Sequence, residues 1–171
     1  MLTLISLSAR SLQIPGTDPW HVRPIDPALA VMTDFHERTS VTVSTMAGID
    51  AALEHMKHTG VRSAFAVDEA QRLVVGLITA YDIMGEKPMR YIRSMDVTRA
   101  QLLVKDLMTA LADLRVVDIR QIEAGTVADI ARLFAESQLT HIPVVETDGR
   151  GGQRLRGMLS AARVKRVLSE H

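Results

Sequence analysis

One pattern occurs twice along this chain, and a repeat of that length constrains the fold more than composition does. Val31-Met-Thr-Asp-Phe35 returns as Leu107-Met-Thr-Ala-Leu111, an offset of 76 residues. Ile49-Asp-Ala-Ala-Leu-Glu-His-Met56 shares its pattern with Val127-Ala-Asp-Ile-Ala-Arg-Leu-Phe134, and Ser63-Ala-Phe-Ala-Val67 with His141-Ile-Pro-Val-Val145, both at 78. Gly76-Leu-Ile-Thr-Ala80 matches Gly157-Met-Leu-Ser-Ala161 at 81. The offset only grows, and each step falls between apolar blocks, as loop insertions do when a framework is kept.

Each copy predicts the order β-α-β-β-α. A short β stretch comes first, Val41–Val43 in one copy and Val116–Ile119 in the other. An amphipathic helix follows: Ile49, Ala52, Leu53 and Met56 recur at i, i+3, i+4, i+7, and Val127, Ile130, Ala131 and Phe134 do the same. Thr126 suits the N-cap of the second helix, Gly48 serves the first, and Gly60 can end it. Two β runs joined by a polar turn come next, Ala64–Val67 with Leu73–Thr79 and Ile142–Val145 with Leu155–Ser160. A last helix starts at Ala80, stopping near Gly85 and Pro88, and again at Ala161. The expected class is α+β: two β-α-β-β-α repeats packed around a pseudo-two-fold axis, because one copy is too small to cover its own sheet. The expected boundaries are an N-terminal arm over 1–26, a first repeat over 27–86, a linker over 87–104 and a second repeat over 105–171. The prolines at 15, 19, 24 and 27 make the later arm extended or turn-like, and Leu2–Leu12 reads as an edge strand or a short helix.

Twenty Lys and Arg cancel twenty Asp and Glu, so the chain lacks the net field that draws proteins to nucleic acid or anionic membrane, and neither partner is expected. No cysteine is present, which removes disulfides, thiolate metal sites and a cysteine nucleophile. No apolar run approaches the ~18 residues of a membrane span, and the expected location is the cytoplasm. Aromatics are 4% of the chain, too few for base-stacking platforms.

The chemistry concentrates at Gly76-Leu-Ile-Thr-Ala-Tyr-Asp82, where an apolar strand runs into a helix. The Thr79 hydroxyl can serve a phosphate, and the Asp82 carboxylate can accept both hydroxyls of a ribose. The same Thr-x-x-Asp spacing is also a capping box, which needs no ligand. In the second copy Ser160 keeps the cap but Arg163 replaces the acid. A cation in a first turn opposes the helix dipole by about 0.3–1 kcal/mol, so Arg163 either pairs with a carboxylate or faces an anion. His141 either touches a ligand or satisfies backbone at a strand start. His55 and His58 can approach a metal, but Glu54 and Lys57 beside them mark a solvated face, and no metal is expected.

These motifs together resemble the cystathionine-β-synthase (CBS) domain family as a tandem pair, a Bateman module, over about residues 27–168. The resemblance implies two clefts between paired repeats that bind adenosine-type ligands such as AMP, ADP, ATP or S-adenosylmethionine, with no cofactor required. It implies that Thr and Asp of one repeat hold phosphate and ribose while the first strand and the His-Ile-Pro-Val segment of the other hold the base. One cleft is then Thr79, Tyr81 and Asp82 facing Ile119, Thr140, His141, Ile142 and Pro143. The other is Ser160 and Arg163 facing Val43, Arg62, Ser63 and Ala64. Arg163 removes the ribose acid from that second cleft, and Phe65 stands where the family has proline and can partly fill it. The first cleft is therefore expected to be competent and the second degenerate or empty. No nucleophile elbow, Walker loop or His-Glu-x-x-His occurs. The expected function is regulatory, not enzymatic: a stand-alone homodimer that signals ligand occupancy to a partner protein, with a structural or protein-interaction module as the alternative. Met56, Met84 and Met89 either serve the contact between copies or belong to the core.

Overall fold

The computed structural model describes residues 22–169. In chain order the first half holds β1 (Thr33–Asp34), β2 (Thr42–Ser44), α1 (Ile49–Thr59), β3 (Ser63–Asp68), β4 (Leu73–Thr79), α2 (Ala80–Met84) and α3 (Lys87–Met95). The second half holds α4 (Val104–Leu107), β5 (Thr109–Ala110), β6 (Val117–Asp118), α5 (Ile119–Ala124), α6 (Val127–Ser137), β7 (His141–Thr147), β8 (Gln153–Ser160) and α7 (Ala161–Ser169). The reading of Leu2–Leu12 falls outside the described residues.

The local signals act as their chemistry requires. Gly60 ends α1 at φ 71°, a left-handed conformation that costs glycine little. Thr126 caps α6 by accepting the Asp129 N–H, and the Asp129 carboxylate accepts the Thr126 N–H in return. Two of the local signals act differently from the sequence reading, and α3 lies within the expected linker. Ile119 does not extend the first strand of the second copy, because the Asp118 side chain accepts the Arg120 N–H and starts α5 there. Gly85 does cap α2, but Pro88 sits in the first turn of α3, where a missing N–H is not needed.

Two four-stranded sheets result, in the orders β2-β3-β4-β5 and β1-β8-β7-β6. Each has a parallel pair (β2 with β3, β6 with β7) and an antiparallel hairpin (β3 with β4, β7 with β8). The fourth strand of each is exchanged. β5, which follows the linker, pairs with β4 of the first copy, and β1, at the start of the first copy, pairs with β8 of the second. The two glycines of the repeat permit this. A Cβ at Gly76 would stand 2.6 Å from the Thr109 carbonyl oxygen, and one at Gly157 2.7 Å from that of Thr33. Each Met-Thr segment therefore lies on a glycine of the other copy, which ties the two motifs together sterically.

Three apolar clusters hold the molecule. The first packs α1 and α2 on one sheet around Met56, Ile78 and Ile83, and takes Leu102 and Val104 from beside the linker. The second packs α5, α6 and α7 on the other sheet around Ile122, Leu159 and Val167, and takes in Val22. Between the sheets lie Phe65, Leu77 and Met158, flanked by Phe35 and Leu114. Met56 is fully buried and belongs to the core, whereas Met84, Met89 and Met95 are more than half exposed. No helix among the described residues is long and apolar enough to cross a membrane.

Candidate functional site

Two cavities open between the repeats, and His141 lines both. The smaller, about 320 Å³, is built on the turn from β4 into α2. There Asp82 Oδ2 accepts the Thr79 N–H and the Thr79 hydroxyl, each at 2.8 Å, while Thr79 Oγ1 accepts the Asp82 N–H at 3.1 Å. The capping box is thus formed. Lys87 Nζ, reaching from α3, donates to Asp82 Oδ1 at 2.5 Å and to the Leu107 carbonyl at 3.3 Å. A carboxylate oxygen has two acceptor directions, so Oδ1 keeps capacity beyond Lys87. Tyr81, Thr140 and His141 line the same space, together with Asp113, Leu114 and Arg115 before β6 and Gln138 and Leu139 after α6.

His141 is 8% exposed and touches the Thr140 hydroxyl through Nδ1 at 3.1 Å. Burial lowers its pKa to about 4, against a raising influence from Asp82 and with a further lowering one from Arg62. The ring is neutral at neutral pH and can donate one hydrogen bond and accept another. Its centroid lies 6.3 Å from that of Tyr81, whose hydroxyl accepts from Arg62 Nη1 at 3.2 Å. Of the two cavities Arg62 lines the larger, Tyr81 the smaller and His141 both.

The larger cavity, about 700 Å³, lies between the turn before β3 and the start of α7. Arg62, Ser63, Ser160 and Arg163 line it, and so do Arg38, Thr39 and Arg166. Arg163 is half-buried; burial first, then the charges of Arg38 and Arg166, push its guanidinium below the ordinary arginine value. Phe65 forms one wall without filling the space.

The CBS domain family model matches residues 13–88 and 104–170. The chain belongs to the CBS domain family. Solved CBS-pair structures share its fold. CBSX2 of Arabidopsis thaliana in complex with AMP is 24% identical with a TM-score of 0.54, over 82% of this chain and 94% of that one. A CBS-domain-containing protein from Agrobacterium tumefaciens is 18% identical with a TM-score of 0.58, over 92% and 98%. The CBS domain pair of protein MJ0100 in complex with 5′-methylthioadenosine and S-adenosyl-L-methionine is 17% identical with a TM-score of 0.53, over 84% and 96%. A search of curated proteins found no match.

Within this CBS pair, Thr79, Tyr81, Asp82, Thr140 and His141 come together around the smaller cavity as the motif implied, but three expected members do not line it. Ile119 and Ile142 belong to the core of the second sheet, and Pro143 is buried in β7 opposite Met158. Around the larger cavity Arg62, Ser63, Ser160 and Arg163 line the space, while Val43 and Ala64 belong to the first core. The second cleft, expected to be degenerate or empty, is the roomier of the two. Losing an acid changes what a cleft can recognise without closing it. Sequence reasoning missed Lys87, Asp113, Arg115 and Arg38. A signal existed for two of them: Arg38 and Arg115 occupy similar places past Thr33 and Thr109 in the repeated Met-Thr motif.

Proposed function

We propose that this CBS pair is a regulatory sensor that takes an adenosine-type ligand (AMP, ADP, ATP or S-adenosylmethionine) in the cavity at Thr79 and Asp82 and passes its occupancy to another protein. The observation that carries the reading is the convergence of a carboxylate, an amine and hydroxyls on a space walled by both repeats. On binding, ribose hydroxyls donate to Asp82 Oδ1, and the Lys87 amine turns from that oxygen to the ligand's phosphate or carboxylate. Tyr81 and the neutral His141 supply flat faces and hydrogen bonds for the base. The complexes of CBSX2 with AMP and of MJ0100 with 5′-methylthioadenosine and S-adenosyl-L-methionine support this ligand class. A ligand that touches both repeats has different affinities for their different arrangements, which is the condition for a switch. No bond need be made or broken for such a role.

Calorimetric titration of the full chain with the four ligands tests the reading. At least one should bind, and Asp82→Ala should weaken it by about tenfold or more, the loss of one charge-assisted hydrogen bond or two. Unchanged affinity in that variant removes Asp82 from ligand recognition. A flat response to all four favours the second reading, a structural or protein-interaction module, to which the closed Thr79–Asp82–Lys87 bonding lends specific support. The proposal extends to a homodimer, with Met84 on α2 and Met89 and Met95 on α3 as the exposed apolar surface. Sedimentation at twice the mass of the chain is the expected result, and a monomer at all concentrations would remove it.

A further inference from the structure

The larger cavity has a charge the rest of the molecule lacks. Arg38, Arg62, Arg163 and Arg166 line it, and among the described residues no carboxylate does, in a chain whose acids and bases balance as a whole. Among the described residues Arg38, Arg62 and Arg163 make no salt bridge; Arg62 donates only to the Tyr81 hydroxyl and Arg163 only to the Ala30 carbonyl, at a long 3.4 Å. Of the acids near Arg38 in the chain, Asp34 is held by Arg156, and Glu37 does not line this cavity. The smaller cavity, by contrast, balances Asp82 and Asp113 against Lys87 and Arg115.

Guanidinium groups only donate hydrogen bonds, and they best satisfy acceptor-rich, highly charged oxygen anions. The Ser63 and Ser160 hydroxyls on the wall add two more donors. A single phosphate carries roughly two charges at neutral pH, fewer than Arg38, Arg62 and Arg163 present. Among the described residues no carboxylate lines it to accept the hydroxyls of a ribose. The space lies within the roughly 300–1,000 Å³ of ordinary small-ligand sites. We propose that this cleft binds an oligophosphate chain through its phosphates, with no reading of a nucleoside. The site stands apart from the adenosine reading, because it uses a different cavity and different side chains.

The experiment titrates the full chain with inorganic tripolyphosphate, orthophosphate and uridine triphosphate at low salt, where such contacts are least screened. Tripolyphosphate should bind at least about tenfold more tightly than orthophosphate, and uridine triphosphate should match tripolyphosphate to within about tenfold. Arg163→Glu should weaken tripolyphosphate by about tenfold or more. That variant should fold, since Ser followed three places on by Glu is a favourable helix start. Arg38→Gln, in an exposed loop away from the core, should weaken the same ligand and guards against a folding artefact. Equal affinity for orthophosphate and tripolyphosphate, no effect of either variant, or uridine triphosphate binding more than about tenfold tighter would each overturn the proposal. None of the three probes contains adenosine, so failure here leaves the result with adenosine ligands standing, and failure there leaves this one standing.

Discussion

Phe65→Ala is expected to destabilise the fold by about 3–5 kcal/mol, the usual cost of deleting a buried aromatic ring. Phe65 is 2% exposed on β3, its ring lies edge-on to Phe35 with centroids 5.9 Å apart, and it packs with Leu77 and Met158. Those neighbours come from different sheets, so the ring is a main tie between the halves as well as part of a core. The hole left behind would adjoin the larger cavity, which Phe65 already walls, and water there would replace contacts on both sheets. Urea unfolding of wild type, Phe65→Ala and Phe65→Leu measures this. The leucine variant keeps most of the volume and should lose much less. A loss below about 1 kcal/mol for the alanine variant would show that the sheets are held together elsewhere.

Acid should weaken the protein through His141. Its folded pKa, about 4, lies below the ordinary histidine value because burial disfavours the charged ring. Between about pH 6.5 and pH 4 the unfolded chain binds a proton at this residue that the folded chain does not. Stability therefore falls as pH falls through that window, by about 3 kcal/mol in all, and this contribution levels off below pH 4, where both states are protonated. Unfolding free energies of wild type and His141→Gln at several pH values isolate the effect, because carboxylates common to both cancel in the difference. The gap between the two proteins should change by most of that amount between pH 7.5 and pH 4.5. Parallel profiles would sink the assignment.

The helices and hairpins were legible because they carry their own signals. α1 and α6 have apolar residues at helical spacing, Gly60 and Thr126 mark ends, and polar turns separate β3 from β4 and β7 from β8. The exchange of β1 and β5 was not legible. Strands of two residues have no period, and their partners are fixed by a steric fit to Gly76 and Gly157 far along the chain. In the candidate site, Thr79, Asp82, Ser160 and Arg163 could be placed because a strand-to-helix turn points its first side chains one way. Ile119, Ile142, Val43 and Ala64 could not. From His141 to Val145 every residue is buried, so no polar alternation tells which side chains face a cleft and which face a core. Lys87 and Asp113 reach the smaller cavity from α3 and from the segment before β6, through contacts that no local spacing encodes, whereas Arg38 and Arg115 carried only the weak signal of similar places in the repeat.

The reciprocal loan of one strand by each half has a consequence for how the molecule can be divided. A cut anywhere between α3 and α4 would leave each fragment with a spare strand that fits the other and a bare rim where its own neighbour should be. The duplicated stretch of sequence is therefore not a separable object in space, and the smallest self-sufficient piece is the interlocked pair.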